Sequence, residues 1–231
     1  MVTDLTTRHI SNRPMRYRAV LLDLDGTLLD TLEDISNAAN RVLTTQGFPT
    51  HSLDIYRGLI GEGAARLITR ILPKEKRDAD IVQTCLEAYL DDYGQHWNIK
   101  TKPYVGIPEM LDALVARGLK LAVLSNKPEE FTQKCVRELL LNWTFDAVIG
   151  TSNRVPSKPS PVGALEIAGR LNISPEEFLY LGDTGIDMRT AIAARMFAVG
   201  VLWGFRDREE LQREGARVLI EKPLEILRLL T

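Results

Sequence analysis

Five short, continuous apolar runs punctuate the chain, at residues 17–23 (YRAVLLD), 119–124 (LKLAVL), 146–149 (DAVI), 178–181 (FLYL) and 197–201 (FAVGV), and a weaker one covers 217–220. Continuous runs of this length read as strands buried on both faces, as in a parallel sheet. Helical spacing fills the gaps between them. Leu111, Leu114 and Val115 share one face ahead of Gly118, which can cap the helix. Pro128 can open a helix carrying Phe131, Val136 and Leu139. Ser160-Pro161 and Ser174-Pro175 each read as an N-cap followed by proline at the first helical position. Strands alternating with helices predict a parallel α/β sheet.

One stretch breaks the alternation. Residues 31–97 carry helical stripes only: Leu32, Ile35, Ala39, Val42 and Leu43, then Ala64, Leu67, Ile68, Ile71 and Leu72, then Ala79, Val82, Leu86, Tyr89 and Tyr93. Such stripes are core-forming faces. An all-helical insertion directly after the first strand reads as a separate cap, with 98–106 (NIKTKPYVG) as its return hinge. The expected organisation is a leader over 1–16, an α/β core from 17–30 and 104–231, and a helical cap with its hinges over 31–103.

Composition narrows the classes. With 231 residues, 45% of them hydrophobic, roughly 70% of the unfolded surface can be buried, so no disulfide or metal staple is required. A net charge of −2 argues against coating nucleic acid or anionic lipid by bulk charge. No apolar run approaches the ~20 residues of a membrane span, and residues 1–16 lack the apolar stretch of a signal peptide and read as a disordered leader. Cys85 and Cys135 are far apart and sit in helical patterns, which predicts reduced, buried thiols and a cytoplasmic protein. Three isolated histidines cannot form a histidine-rich metal site, so any metal must be held by oxygen.

The candidate chemistry lies at strand ends. In an open α/β sheet the ligand crevice lies beyond the carboxyl ends of the strands. The first strand ends in Asp23-Leu24-Asp25-Gly26-Thr27, and residues two apart in an extended segment point the same way. The second ends in Ser125-Asn126-Lys127-Pro128, and the fourth in Gly182-Asp183-Thr184-Gly185-Ile186-Asp187. A proline-braced loop between the third and fourth carries Lys158. Singly, each is an ordinary turn or cap residue. Together they gather four acids, a lysine and a hydroxyl on one sheet edge. Asp23, Asp25 and Asp183 would repel one another without a hard cation, and Mg²⁺ suits a site of few carboxylates, waters and a phosphate. Ser125 and Lys158 supply what an anion needs, and a carboxylate can attack phosphorus.

DLDGT at 23–27, Ser125, Lys158 and GDTGID at 182–187 resemble, in order, the four motifs of the haloacid dehalogenase superfamily of phosphohydrolases. Within that superfamily SNKP at 125–128, KPSP at 158–161 and VGVLWGFR at 199–206 are similar to the phosphoglycolate phosphatase group. The resemblance implies a Rossmann-like core with an inserted all-helical cap, and a Mg²⁺-dependent phosphomonoester hydrolase. It implies Asp23 as nucleophile and metal ligand, and Asp25 as general acid and base with its backbone carbonyl on the metal. It further implies Ser125, Asn126 and Lys158 on the phosphoryl oxygens, Asp183 on the metal, and Asp187 supporting the metal directly or through water. The partner is a small phosphate ester, with neither nucleic acid nor membrane involved, and the chain acts as monomer or homodimer.

Alternatives stay open. Asp25 speaks against a haloalkanoate dehalogenase, which needs no second acid. It speaks equally against a phosphonate-cleaving relative, for which Lys74 or Lys76 would have to form a Schiff base. A sugar phosphomutase or a pyrophosphatase would share the core, and a non-catalytic regulatory module is the remote case. For specificity the candidate is Gly61, Gly63 and Arg66, where two glycines precede a helical stripe and backbone N–H groups can approach an anion. That segment also resembles the glycine-bearing cap loop of phosphoglycolate phosphatases, and it predicts a small acidic substrate such as 2-phosphoglycolate.

Overall fold

A computed structural model describes residues 17–230, so the expected leader over 1–16 lies outside the described residues. The apolar runs become a six-stranded sheet of order β5-β4-β1-β6-β7-β8, with every neighbouring pair parallel. The strands are β1 (Ala19–Leu22), β4 (Lys120–Pro128), β5 (Ala147–Thr151), β6 (Phe178–Gly182), β7 (Phe197–Val201) and β8 (Val218–Ile220). Alternate side chains of one strand enter different cores. Val20 and Leu22 pack with Leu111 and Leu114 of α5 (Ile107–Ala116) and with Cys135 of α6 (Glu129–Leu139). Ala19 and Leu21 pack with Ile167 of α7 (Val162–Leu171) and Met188 of α8 (Gly185–Ala193). Both faces are covered, as the unbroken apolar runs require.

The stretch after β1 holds α1 (Leu32–Thr45), α2 (Leu53–Leu59), α3 (Ala64–Ile71) and α4 (Ala79–His96). Arg41 of α1 grips Asp92 of α4 with Nε 3.0 and 2.9 Å from the two carboxylate oxygens. The buried face of α4 is Cys85, Tyr89 and Tyr93, four residues apart, while Val82 and Leu86 are only partly covered. The chain enters and leaves this insertion through a feature that hydrophobic patterning does not announce: a short antiparallel ribbon of β2 (Leu29–Asp30) and β3 (Lys102–Pro103). Two-residue strands are too short to show a period. Buried Asp34 braces the crossing, accepting the N–H groups of Lys100 and Thr101 and the Thr101 hydroxyl, each at 2.8 Å.

Two helix starts differ from expectation. Pro161 is the cap residue of α7 rather than its first helical residue. Ser174-Pro175 opens only a single 3-10 turn, Pro175–Glu177, because β6 begins at the next residue. The remaining helix, α9 (Arg208–Arg213), is capped by Asp207. Both cysteines are free and buried.

Candidate active site

Asp23 follows β1, Ser125 to Lys127 close β4, and Asp183 follows β6, so three adjacent strands deliver their ends to one place. Gly26 makes the turn possible: its φ is +87°, and a Cβ there would collide with the Asp183 carboxylate.

Buried Lys158 organises the cluster. Its Nζ lies 2.6 Å from Asp23 Oδ1, 2.7 Å from Asp187 Oδ1 and 3.0 Å from the Leu124 carbonyl, which uses all three of its donors. Asp187 is held from its other side by Thr184, whose Oγ1 donates at 2.6 Å and whose N–H donates at 3.1 Å to Oδ2. That reciprocal capping box starts α8 and aims the carboxylate. Asp183 accepts the Phe205 N–H at 2.7 Å on Oδ2 and the Thr27 hydroxyl at 3.2 Å on Oδ1.

The electrostatics are crowded. Asp23, Asp183 and Asp187 are all buried, and each offers a carboxylate oxygen within 4.8 Å of the others. Burial first, then the Asp187 charge, pushes the Asp183 carboxyl up to about 7. The same two causes, in the same order, hold Asp23 well above the ordinary carboxylate range, although Lys158 pulls the other way. Burial works against the Lys158 ammonium, yet Asp187 and Asp23 together keep its pKa well above that of ordinary lysine. Three buried carboxylates against one ammonium leave an excess of negative charge. A hard divalent cation, which takes oxygen donors, fits that excess and that donor set.

Asp25 does not join the cluster. Its carboxylate turns to Lys127, whose Nζ lies 3.0 and 3.2 Å from its two oxygens. The two acids of the DLD sequence therefore face one pocket but take different lysines. Lys127 is buried, and its Nζ stands 4.7 Å from the centre of the Tyr93 ring. Sequence reasoning missed Lys127. A lysine at the close of a strand reads as solvated, and the available signal was its place two residues after Ser125, on the same side of an extended segment.

Of the residues expected on the phosphoryl group, Ser125 is buried at the site and its Oγ accepts the Lys127 N–H at 3.2 Å. Asn126 spends its side chain as a brace. Its Oδ1 accepts the Lys158 N–H at 2.7 Å, and its Nδ2 donates to the Lys158 carbonyl at 3.2 Å and to the Gly61 carbonyl at 2.9 Å.

The glycine loop between α2 and α3 lies on the core. Gly63 has φ +87°, and a Cβ there would stand 3.1 Å from the Asn126 carbonyl oxygen. A Cβ at Gly61 would stand 3.3 Å from Thr184 Cγ2. Both glycines line the pocket that also holds Asp23, Asp25 and Lys127. Arg66 is the correction: its side chain is 68% exposed and pairs with Glu62 at 3.1 Å, one helical turn back, so it stays out of the pocket. An arginine that does reach across is Arg206, beyond β7, and Arg57 answers it with a bond to the Gly204 carbonyl at 3.2 Å. Arg206 donates to the Arg57 carbonyl, to Gly58 at 3.0 Å and to Ile60 at 2.8 Å, which caps the open end of α2. Arg206 and Phe205 both fall in the VGVLWGFR stretch, so that stretch had marked them without giving them tasks.

Buried carboxylates suited to a cation, a buried lysine and a hydroxyl at the carboxyl edge of a parallel α/β sheet form a candidate enzyme site. The family model of haloacid dehalogenase-like hydrolases matches residues 20–201, and the chain belongs to that family. It is a phosphatase of the family. A relative from Nitrosospira multiformis named phosphoglycolate phosphatase is 31% identical over 94% of this chain and 97% of its own. Another of that name, from Aquifex aeolicus, is 36% identical over 81% of this chain and 86% of its own. A crystal structure from Lactobacillus delbrueckii subsp. bulgaricus superposes with a TM-score of 0.87, at 30% identity, covering 92% of this chain and 97% of that one. No helix among the described residues is long and apolar enough to cross a membrane.

Proposed function

We propose that this phosphatase hydrolyses a small acidic phosphomonoester, such as 2-phosphoglycolate, through a phosphorylated Asp23. The observation that carries the reading is the division of labour between two neighbouring acids. Asp23 is fixed by Lys158 at the cluster, and Asp25 is fixed by Lys127 in the pocket above it. The names of the full-length relatives supply the substrate.

Asp23 attacks phosphorus, an Asp23–O–P bond forms, and the bond from phosphorus to the ester oxygen breaks. Asp25 gives its proton to the departing alkoxide. It then takes a proton from the water that attacks the phosphorylated Asp23, and free phosphate and the original carboxylate result. Ser125 and Lys158 hold the phosphoryl oxygens, Lys158 by turning the donor it gives Asp23 onto the phosphoryl group while Asp187 and the brace from Asn126 keep it in line. Asp23, Asp183 and the Asp25 backbone carbonyl would hold Mg²⁺, with Asp187 behind them. Bound there, Mg²⁺ neutralises charge on the phosphoryl oxygens.

On this reading residues 31–103 form a cap that excludes water, residues 17–30 and 104–231 form the catalytic core, and the enzyme works in the cytoplasm as monomer or homodimer. A screen of Mg²⁺-dependent phosphate release over a few dozen phosphomonoesters and pyrophosphate tests it. Preference for 2-phosphoglycolate or a close analogue is expected. Preference for pyrophosphate, or net conversion of a hexose 1-phosphate to its isomer, would replace the reading with a pyrophosphatase or a phosphomutase.

A further inference from the structure

Lys127 has so far only been a partner for Asp25, and its surroundings ask more of it. Among the described residues that line the pocket it is the cation, and Ile60, Leu67 and Phe131 make much of the remaining wall. An ammonium buried in an apolar wall needs partners. Asp25 takes two contacts, at 3.0 and 3.2 Å, and the face of Tyr93 shields one side. Among the described residues Asp25 is the hydrogen-bond partner of Lys127 Nζ, so an ammonium with three donors keeps the capacity to meet one further oxygen. The Tyr93 hydroxyl is also buried, and it has no partner among the described residues. Buried polar groups without partners are rare in finished sites, and this one lies in the same pocket as the Lys127 ammonium, on the residue whose ring that ammonium covers.

The position of Lys127 says what the ammonium awaits. On the mechanism above, which this inference rests upon, Asp25 meets the ester oxygen that leaves. A cation in contact with the Asp25 carboxylate therefore faces the first carbon beyond that oxygen. A carboxylate carried on that carbon reaches Lys127 while the ester oxygen stays on Asp25. A carboxylate further along a chain does not reach both, and a hydroxymethyl group in the same place gives the ammonium no charge to meet.

We propose that Lys127, held over the Tyr93 ring, receives a substrate carboxylate one carbon from the ester oxygen, and so selects phosphate esters of 2-hydroxy acids. The receptor is assembled from both parts of the chain, Lys127 from β4 and Tyr93 from α4. It forms only when the helical insertion lies over the core, so recognition and water exclusion coincide. The attraction is strong because the wall around it is apolar.

The test compares 2-phosphoglycolate with 2-hydroxyethyl phosphate, which has the same length and no carboxylate, in wild type, Lys127→Met, Lys127→Arg and Tyr93→Phe. Wild type is expected to favour 2-phosphoglycolate in kcat/KM. Lys127→Met should reduce that preference roughly ten- to hundredfold, the scale of a charge-assisted hydrogen bond, mostly through KM for the acid. Lys127→Arg should restore part of it, and Tyr93→Phe, which keeps the ring under the ammonium, should change it less than a few-fold. Equal losses on both esters in Lys127→Met, with the preference intact, would overturn the proposal and leave Lys127 as a positioning residue for Asp25. Equal rates on both esters in wild type would overturn the acidic-substrate reading as well, so the two failures are distinguished by the wild-type comparison alone. Lys127→Gln answers the same question if the methionine variant does not fold.

Discussion

Asn126 of the core donates a hydrogen bond of 2.9 Å to the carbonyl of Gly61 in the insertion. The same side chain holds the loop of Lys158, so the contact of the glycine loop and the placement of Lys158 share one amide. Gly63 completes the contact, with φ +87° and a Cβ position that would stand only 3.1 Å from the Asn126 carbonyl oxygen. Gly63→Val forces a branched residue into that backbone region, at a cost of order 1–3 kcal/mol, and opens the loop. KM for 2-phosphoglycolate should rise about tenfold, with a smaller change for an aryl phosphate. The measurement is the ratio of kcat/KM for the two substrates, and an unchanged ratio removes the loop from specificity.

Arg66 supplies the complementary case. Among the described residues its ion pair is the one with Glu62, on a largely exposed side chain and of a kind worth little in water. Arg66→Ala should change kcat/KM for 2-phosphoglycolate less than about twofold, within the range of such surface pairs. Steady-state kinetics settle this, and a tenfold loss would return Arg66 to the binding site.

Lys158→Met tests the crowding of carboxylates. It leaves Asp23, Asp183 and Asp187 buried without their ammonium, and breaking buried pairs of this kind costs about 3–5 kcal/mol. Melting should show a large loss of stability in EDTA, partly recovered in Mg²⁺, while kcat stays at least about a hundredfold down in both. Recovery of kcat by Mg²⁺ would mean that Lys158 acts only through the fold.

The same crowding gives a pH dependence. The folded chain keeps the Asp183 proton up to about 7, because of burial and the Asp187 charge. The unfolded chain releases it near ~3.9. Between those values the folded state binds more protons, so this contribution is full at the acid end of the window and is lost as pH rises through about 7. Metal-free protein should therefore melt at a lower temperature near pH ~7.5 than near pH ~5.5, and Mg²⁺ should reduce the difference by taking the place of the proton. A calorimetric pH series with and without Mg²⁺ checks it. Identical curves would show that the acid cluster holds no cation.

The parallel sheet was legible because buried strands need unbroken apolar runs, and β1 and β6 keep theirs to the last residue. Asp23, Lys158 and Asp183 stood out only as a group, since each alone reads as an ordinary turn, surface or cap residue and the topology gathers them at one sheet edge. The β2–β3 ribbon was not, since two residues per strand cannot show a period. Asp25 and Asp23 share an alternation that predicts one destination, but each found a different lysine. The tasks of Lys127 and Arg206 were not legible, for a common reason. Their tasks arise from tertiary contacts across about a hundred residues or more of chain, against Asp25 and against the end of α2.

The central claim is a phosphoryl group carried by Asp23 and released with the help of Asp25. Asp25→Asn keeps the shape of the acid but cannot take a proton from water, so the first transfer proceeds slowly and hydrolysis stalls. Mass spectrometry of this variant, incubated with Mg²⁺ and an activated aryl phosphate, should find one added phosphoryl group on the peptide that contains Asp23, and none in Asp23→Asn. Continued hydrolysis by Asp25→Asn with no adduct, or activity of Asp23→Asn within about tenfold of wild type, would contradict the mechanism.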